Sequence, residues 1–379
     1  MKTIPTILTG IFIASLSNLP AAEPAQSLCP SPFGIGGDAQ TAQTPEKWIP
    51  QMAAIGIKVN RTIRTKWEVV EPKEGQWDWT GPDRALQCLI DNGMDTGGYL
   101  IGHPQWAVKG DPGPGRLTLP VGNLPAWSNY VSETVKHYKG KIKRWEVWNE
   151  PPNFTGVNQK AADYGKVVAA AYDAAKAADP DCLIGLAAKS AHINYLERAI
   201  TGGAKDRFDY ITVHPYEALS GVIGNQGAEA LFMNIVPNIR KMLARVNPAK
   251  ANVPVIITEL GADSDPVGKN YGVGPDVAAQ ALVKAYTLGI AQGVDCINWF
   301  EGMDGDSGAM GLLDAAGKPR LTHTAMEQMI KHLGQRPAYL GWQLLNDKHY
   351  AFLFQGAKGP VLITWAYKGV PDKVDFGKT

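Results

Sequence analysis

Residues 144–151 read RWEVWNEP, an apolar run that ends in two polar side chains and a proline. Such a run predicts a buried β-strand, which the proline ends because its nitrogen has no hydrogen to donate to a neighbouring strand. Asn149 and Glu150 then lie at the carboxyl end of this strand. Residues 255–261, VIITELG, repeat the pattern and bring Glu259 to the end of a second hydrophobic strand.

Strand-like segments alternate with amphipathic helical segments along most of the chain, as expected for βα units that form a parallel sheet. Eight candidate strands are found at 33–36, 58–64, 96–102, 144–149, 183–187, 210–214, 255–259 and 296–299. They predict an α/β fold, the (β/α)8 or TIM barrel, whose active site forms at the carboxyl ends of the strands. An open doubly wound sheet is disfavoured, because Gly34-Ile35-Gly36-Gly37 lacks the GxGxxG spacing.

Three regions are expected along the chain. Residues 1–22 begin with Met1-Lys2 and continue in a short apolar run that ends in small residues, which predicts a signal peptide and a secreted or periplasmic protein. Residues 28–335 hold the barrel. Residues 336–379 change to short runs of period two, which predicts a small β-rich C-terminal segment. The N-terminal apolar run is short for a bilayer span, so we expect no stable membrane insertion.

The composition excludes several classes of partner. Lys and Arg total 37 against 36 Asp and Glu, so no broad positive field attracts nucleic acid. The four cysteines are widely scattered without CxxC spacing, and few histidines fall at strand ends. We therefore expect no metal and no cofactor.

The two strand-end glutamates suggest a specific chemistry. Hydrolysis of a glycosidic bond needs one protonated carboxyl group to donate to the leaving oxygen and one ionised carboxylate on the opposite face of the sugar. Glu150 and Glu259 supply such a pair at one rim of the predicted barrel. The expected partner is a carbohydrate substrate.

The chain resembles the clan A glycoside hydrolases, in which a Trp-Asn-Glu-Pro strand carries the acid/base and a strand-seven glutamate is the nucleophile. The resemblance rests on residues 148–151, on Arg64 and Trp67 with the segment 71–79, on residues 214–216 and on residues 311–314. Within the clan it is most similar to family 39 and to related bacterial exopolysaccharide hydrolases. The resemblance implies a retaining mechanism, with Glu150 as acid/base and Glu259 as nucleophile.

The resemblance also implies roles in substrate binding. Asn149 would bind the sugar 2-hydroxyl, Arg64 and Tyr216 would hold Glu259 ionised, and Trp299 would form the floor of the sugar subsite. His214 and Trp67 join this predicted binding set. Alternatives stay open at this stage: a surface cation for Arg64, core packing for His214 and Tyr216, and barrel packing for Trp299.

Two further expectations come from the residues themselves. The loop after the third strand is rich in proline and glycine, and long loops in compact domains are often functional, so we expect His103 and Trp106 to line a subsite. A plain surface loop is the alternative. Glu146 lies in step with Glu150 along its strand, and a buried, paired structural role is favoured for it over catalysis.

A catalytically silent carbohydrate-binding barrel is the competing function, because a fold does not establish an activity. The presence of both glutamates argues against it. The sequence carries no signal for the sugar, the linkage or the oligomeric state.

Overall fold

The structure, a computed structural model, describes residues 27–37, 41–109, 117–151, 160–224, 227–268, 272–345 and 349–366, without the side chains of 62–64. The predicted signal peptide, residues 110–116 and 152–159, and the last residues of the C-terminal segment lie outside these ranges. No helix within them is both long enough and apolar enough to span a bilayer.

Eight parallel strands form a closed barrel in sequence order, and the last pairs with the first. This confirms the predicted fold class. The strands are β1 (Phe33–Gly36), β2 (Val59–Arg64), β3 (Asp95–Leu100), β4 (Arg144–Val147), β5 (Leu183–Lys189), β6 (Tyr210–His214), β7 (Val255–Leu260) and β8 (Cys296–Trp299). Strand β5 runs two residues further than predicted, because pairing with β6 extends through Ala188 and Lys189, which have little intrinsic strand preference.

Helices connect the strands and cover the outside of the barrel. They are α1 (Ile49–Ala54), α2 (Trp67–Val70), α3 (Thr80–Asp91), α4 (Leu124–His137), α5 (Ala161–Ala178), α6 (Ile193–Ala199), α7 (Tyr216–Gly224), α8 (Glu229–Met233), α9 (Ile235–Val246), α10 (Pro275–Ala291) and α11 (Leu321–Leu333).

The main core lies between the sheet and these helices, where large aromatic side chains are fully buried. Tyr164 of α5 is an example. Its hydroxyl donates to the carbonyl of Val147 at 2.8 Å and accepts from the N–H of Ala187 at 2.8 Å. Because a buried hydroxyl needs partners, these two bonds tie α5 to the ends of β4 and β5. The segment that carries the predicted acid/base is thereby anchored from the helical side.

The barrel interior holds a small apolar cluster and, beside it, polar side chains; the cluster is Cys29, Val59, Tyr210, Ile256 and Cys296. Gly185 of β5 lies beside the ring of Tyr210, and a Cβ at this position would come within 2.5 Å of that ring. Glycine is therefore required here by the close approach of the aromatic ring. The four cysteines are buried free thiols.

A three-stranded antiparallel sheet follows α11, made of β9 (Ala338–Leu345), β10 (His349–Gly356) and β11 (Gly359–Ala366). Its Trp365 donates from Nε1 to Glu229 at 3.1 Å, and Lys284 lies 3.7 Å from the same carboxylate. Burial lowers the pKa of Lys284, against the opposing attraction of Glu229. These contacts join the sheet to α8 and α10 on the outside of the barrel.

Candidate active site

Glu150 and Glu259 meet at the carboxyl end of the barrel. Glu150 follows the end of β4, and Glu259 is the next-to-last residue of β7, which ends at Leu260. The side chains are 12% and 16% exposed, so both are mostly buried but still reach solvent. A carboxylate oxygen of one lies within 4.8 Å of a carboxylate oxygen of the other. This upper bound on the distance between two oxygens fits the close pair of retaining glycosidases, whose carboxyl groups lie about 5–5.5 Å apart, better than the roughly 6.5–9.5 Å of inverting ones.

The backbone that presents Glu150 is strained. Trp148 has φ 72° and Glu150 has φ 46°, in the left-handed region that residues with a Cβ rarely adopt. Each such residue costs on the order of 1–3 kcal/mol unless its surroundings hold it. The surroundings here are the buried Trp148 ring and a bond from the Trp148 N–H to the carbonyl of Leu100 at 2.8 Å. The strained turn directs Asn149 and Glu150 towards the cleft.

Arg61 of β2 is the cation at the centre of the site, and the sequence analysis did not identify it. Its guanidinium is 7% exposed and donates from Nε to Glu146 at 2.7 Å. Nη2 donates to the amide oxygen of Asn149 at 2.8 Å, and Nη1 donates to Glu259. Desolvation opposes the charge, but the attraction of Glu146 and Glu259 raises the pKa of Arg61 well above its ordinary value.

Arg61 also sets the orientation of the Asn149 amide. Since a guanidinium only donates, the Asn149 atom that faces it must be the oxygen. The amide nitrogen then points away from Arg61 and can donate to a ligand.

Glu146 lies in the barrel interior and holds Arg61 through an ion pair. It is 2% exposed and accepts from the hydroxyls of Thr212 at 2.7 Å and Thr258 at 3.0 Å, in addition to Arg61. Its carboxylate is therefore surrounded by protein donors and closed to substrate. The structure places it in the buried, paired position that the sequence favoured.

His214, which ends β6, links both glutamates. Its Nδ1 lies 2.9 Å from Glu150 and 3.5 Å from Glu259, and its Nε2 lies 2.9 Å from the Thr258 hydroxyl. Because that hydroxyl donates its hydrogen to Glu146, it accepts from His214, which puts a hydrogen on Nε2. Nδ1 then accepts from a protonated Glu150 or, when His214 is charged, donates to an ionised Glu150.

One proton is thus shared by Glu150 and His214. Burial lowers the pKa of His214, but the negative charge of Glu259 and the hydrogen bond to Glu150 outweigh burial, so this pKa lies above its ordinary value. Such a pair titrates as a unit. The arrangement keeps a proton on the hydrogen bond between Glu150 and His214.

Tyr216, the first residue of α7, lies near the two glutamates and is partly exposed. Burial, followed by the negative charges of Glu259 and Glu150, raises its pKa well above the ordinary value for a phenol, so it stays protonated. Among the described side chains, however, no hydrogen bond joins Tyr216 to Glu259. The expected support of the nucleophile comes from Arg61 instead.

The structure describes Arg64 only as the last residue of β2, and its side chain lies outside the described part. The role in holding Glu259 that was expected of Arg64 is filled by Arg61. The two arginines lie three residues apart in one strand, and the sequence alone did not show which of them faces the interior.

Two of the expected subsite tryptophans are corrected. Trp299 and Trp67 are fully buried and present no ring face to a ligand. In β8, Asn298 lines the interior whereas Ile297 and Trp299 belong to the outer core, as the period of two requires. The ring of Trp67 stacks on Tyr130 at 5.1 Å. Barrel packing, the alternative left open for Trp299, describes its position.

His103 and Trp106 lie after β3 and are partly exposed. The N–H of His103 donates to Glu68 at 3.1 Å, and Nε1 of Trp106 donates to the carbonyl of Glu71 at 3.1 Å. A backbone hydrogen bond thus fixes His103 to the segment after β2, and a hydrogen bond from the indole ring fixes Trp106 to the same segment. Their role in a subsite stays a prediction.

The donor atoms of Glu150, His214 and Glu259 lie within 4.8 Å of one another, a spacing that a divalent cation can use. The guanidinium of Arg61 already neutralises Glu259, which weakens the attraction for a metal. The arrangement therefore suits acid/base and nucleophilic work by the carboxylates themselves.

Comparison with known proteins decides the family. The sequence model of glycosyl hydrolase family 10 matches residues 57–289, more than half of the chain and a range that includes both glutamates. The chain belongs to glycosyl hydrolase family 10. The predicted membership of the retaining clan is thereby confirmed.

Individual relatives match over shorter stretches. Endo-1,4-beta-xylanase A of Phanerodontia chrysosporium is 34% identical over 128 residues, which are 31% of this chain and 29% of that protein. The matched part of this chain thus spans less than a third of the length of that curated relative.

Solved structures share the fold. A family 39 glycoside hydrolase from Bacteroides cellulosilyticus WH2 aligns with a TM-score of 0.71 at 17% identity, over 89% of this chain and 71% of that one. Xylanase 10B of Thermotoga maritima aligns with a TM-score of 0.55 at 19% identity, over 79% of this chain and 94% of that one. The expected likeness to family 39 is therefore present at the level of the fold.

Proposed function

We propose that this chain is a retaining glycoside hydrolase that cleaves a polysaccharide or oligosaccharide by double displacement. The observation that carries the proposal is the approach of the Glu150 and Glu259 carboxylates to within 4.8 Å, at the carboxyl end of the barrel. Their surroundings differ in the way that two different roles require. Glu259 is bonded to the cation Arg61, whereas Glu150 is bonded to His214.

In the first step Glu259 attacks the anomeric carbon and Glu150 gives its proton to the leaving oxygen, which forms a glycosyl ester on Glu259. In the second step Glu150 takes a proton from water, and that water breaks the ester. Arg61 keeps Glu259 ionised and oriented before the attack. His214 shares the proton with Glu150 and holds its carboxyl group in position.

Asn149 contributes to binding in this proposal. Arg61 fixes its amide oxygen, so the amide nitrogen is directed to donate to a sugar hydroxyl beside the anomeric centre. A donor held before the substrate arrives needs no rearrangement during the reaction. The relatives named as endo-1,4-beta-xylanases make xylan the first polymer to test. We further propose that residues 1–22 direct export, so that the enzyme meets its polymer outside the cytoplasm.

The test is turnover combined with rescue. Glu259→Ala should abolish hydrolysis of xylan and of aryl glycosides while the barrel stays folded, because the side chain lies at a solvent-facing rim. Azide should restore turnover of an activated aryl glycoside by replacing the missing nucleophile, with a glycosyl azide as product. Glu327→Ala, at an exposed position on α11, is the matched control and should keep wild-type rates.

Two results would contradict the proposal. Products released by the wild type with inverted anomeric configuration, followed by NMR, would exclude the double displacement. Binding of polysaccharides without any turnover would favour the silent carbohydrate-binding barrel.

A further inference from the structure

Lys189 lies at the carboxyl end of β5 and faces the inside of the barrel. Ile184, Leu186 and Ala188 of the same strand belong to the core between the sheet and the helices. Since side chains alternate along a strand, Lys189 points to the opposite face, together with Gly185 and Ala187. This face is the interior, because Gly185 lies against the ring of Tyr210, which lines the central cavity.

Lys189 is also at the level of the two glutamates. It is the register partner of His214, whose Nδ1 contacts both carboxylates. Its N–H donates to the carbonyl of Pro151 at 3.0 Å, directly after Glu150. Neighbouring strands are about 4.8 Å apart, so the long side chain of a lysine at this position reaches the cleft above Glu150.

The ammonium group of Lys189 has no acidic partner in the part of the chain that the structure describes, although the side chain is partly buried. Arg61, the other cation of the site, is bonded to two carboxylates and an amide. Residues 152–159, which follow Pro151 in the sequence, read PNFTGVNQ and contain no aspartate or glutamate. The positive charge of Lys189 is therefore available to an anionic group of a ligand in the cleft.

We propose that Lys189 binds the carboxylate of an acidic sugar, so that the enzyme acts on a glycan that carries uronic acid units. The inference rests on the proposed function, because it assigns a subsite beside Glu150 and Glu259. An ammonium–carboxylate contact in a partly dehydrated cleft is a charge-assisted hydrogen bond. Lys189 is a specificity-determining residue in this arrangement, and it takes no part in bond breaking.

Binding of simple sugars tests the inference without any need for turnover. Wild-type protein should bind D-glucuronate and D-galacturonate about tenfold more tightly than D-glucose and D-galactose, as measured by calorimetry or ligand-observed NMR. Lys189→Met should reduce this preference to near unity, whereas Lys189→Arg should keep most of it. Raising the salt concentration should weaken uronate binding and leave neutral sugars less affected. Lys241→Met, on the outer helix α9, is the matched control.

A second measurement uses one polymer in two forms. Glucuronoxylan and the same polymer after chemical reduction of its carboxyl groups differ only in charge. The ratio of kcat/KM for the acidic form over the reduced form should fall about tenfold in Lys189→Met, chiefly through KM, and stay at the wild-type value in Lys241→Met.

Failure of the Lys189 subsite and failure of the hydrolase function give different results. Equal wild-type affinity for uronates and neutral sugars, or no measurable binding of either, overturns the role of Lys189. An equal loss of both classes of sugar in Lys189→Met overturns it as well, because that result describes a structural residue. If uronate selectivity is found but no glycan is hydrolysed, the proposed hydrolase function fails and the acidic-sugar subsite stands.

Discussion

Replacing Arg61 by methionine tests two roles of this buried cation. It neutralises buried Glu146, and it donates hydrogen bonds to Glu259 and Asn149. In the wild type its side chain is 7% exposed and that of Glu146 is 3% exposed, so neither charge is solvated by water. Arg61→Met leaves Glu146 with only the hydroxyls of Thr212 and Thr258 as donors. Removal of one partner from a buried ion pair costs about 3–5 kcal/mol, a large part of the roughly 5–15 kcal/mol by which a domain is stable.

The double variant Arg61→Met/Glu146→Gln also removes the negative charge of Glu146, which the single variant leaves buried without a cation. A neutral amide at 146 can still accept from the two threonine hydroxyls, so we expect about 2–3 kcal/mol of the lost free energy of unfolding to return. Activity should not return, because Glu259 and Asn149 still lack their donor. Loss of such a preorganised donor lowers kcat by about a hundredfold to a thousandfold.

Urea unfolding followed by tryptophan fluorescence measures the stabilities, and initial rates on an aryl glycoside measure activity. Arg245→Met, which removes an exposed ion pair with Glu197, is the control and should leave both nearly unchanged. An Arg61→Met variant as stable as the wild type would refute the reasoning. So would a double variant less stable than the single one.

Three further outcomes are expected. Glu150→Ala should slow poor leaving groups far more than activated aryl ones, which need little proton donation, and equal losses in a leaving-group series would contradict the acid role. The pKa of His214 is raised in the folded state, so its stabilisation is complete below the unfolded value of about 6.5 and is lost as pH rises through the folded value. Urea unfolding between pH 6 and 9 should therefore show falling stability that His214→Gln flattens, and parallel curves would exclude this linkage. Trp365→Phe should cost about 1–3 kcal/mol by removing the indole donor from buried Glu229, which keeps the N–H of Gly227 and the ammonium of Lys284, while Trp342→Phe at an exposed position should not, and equal losses would show that the Trp365 bond adds nothing.

Local sequence patterns were sufficient to predict the barrel and the proposed catalytic pair. Each strand is a short apolar run with its own end signal, and each glutamate follows directly from the strand that carries it. Because parallel strands of one barrel share a common carboxyl end, two strand-end glutamates must lie at the same rim. Strand bounds differed from prediction by only a few residues, as at β5, where pairing with β6 extends the strand.

The hydrogen-bonding partners of those glutamates were harder to predict from the sequence. The sequence pointed to Arg64, whereas the side chain that bonds Glu259 is that of Arg61. The choice between two arginines in one strand depends on which face turns inward, and a change of one residue in phase reverses it. Trp299 was expected in a subsite for its residue type, but the strand phase places it in the outer core.

The sequence by itself determined the number and order of the βα units, the two glutamates and the clan, because these depend on neighbours along the chain, whereas the family expected within the clan was family 39 and the family model that matches is family 10. The tertiary structure alone decided that Arg61, Glu146 and His214 converge on those glutamates and that Lys189 faces the same cleft. These contacts join β2, β4, β5, β6 and β7, whose residues are up to about two hundred positions apart, as with Arg61 and Glu259 at a separation of 198. Only the closure and register of the barrel bring such distant side chains within hydrogen-bonding distance, and no local pattern encodes that register.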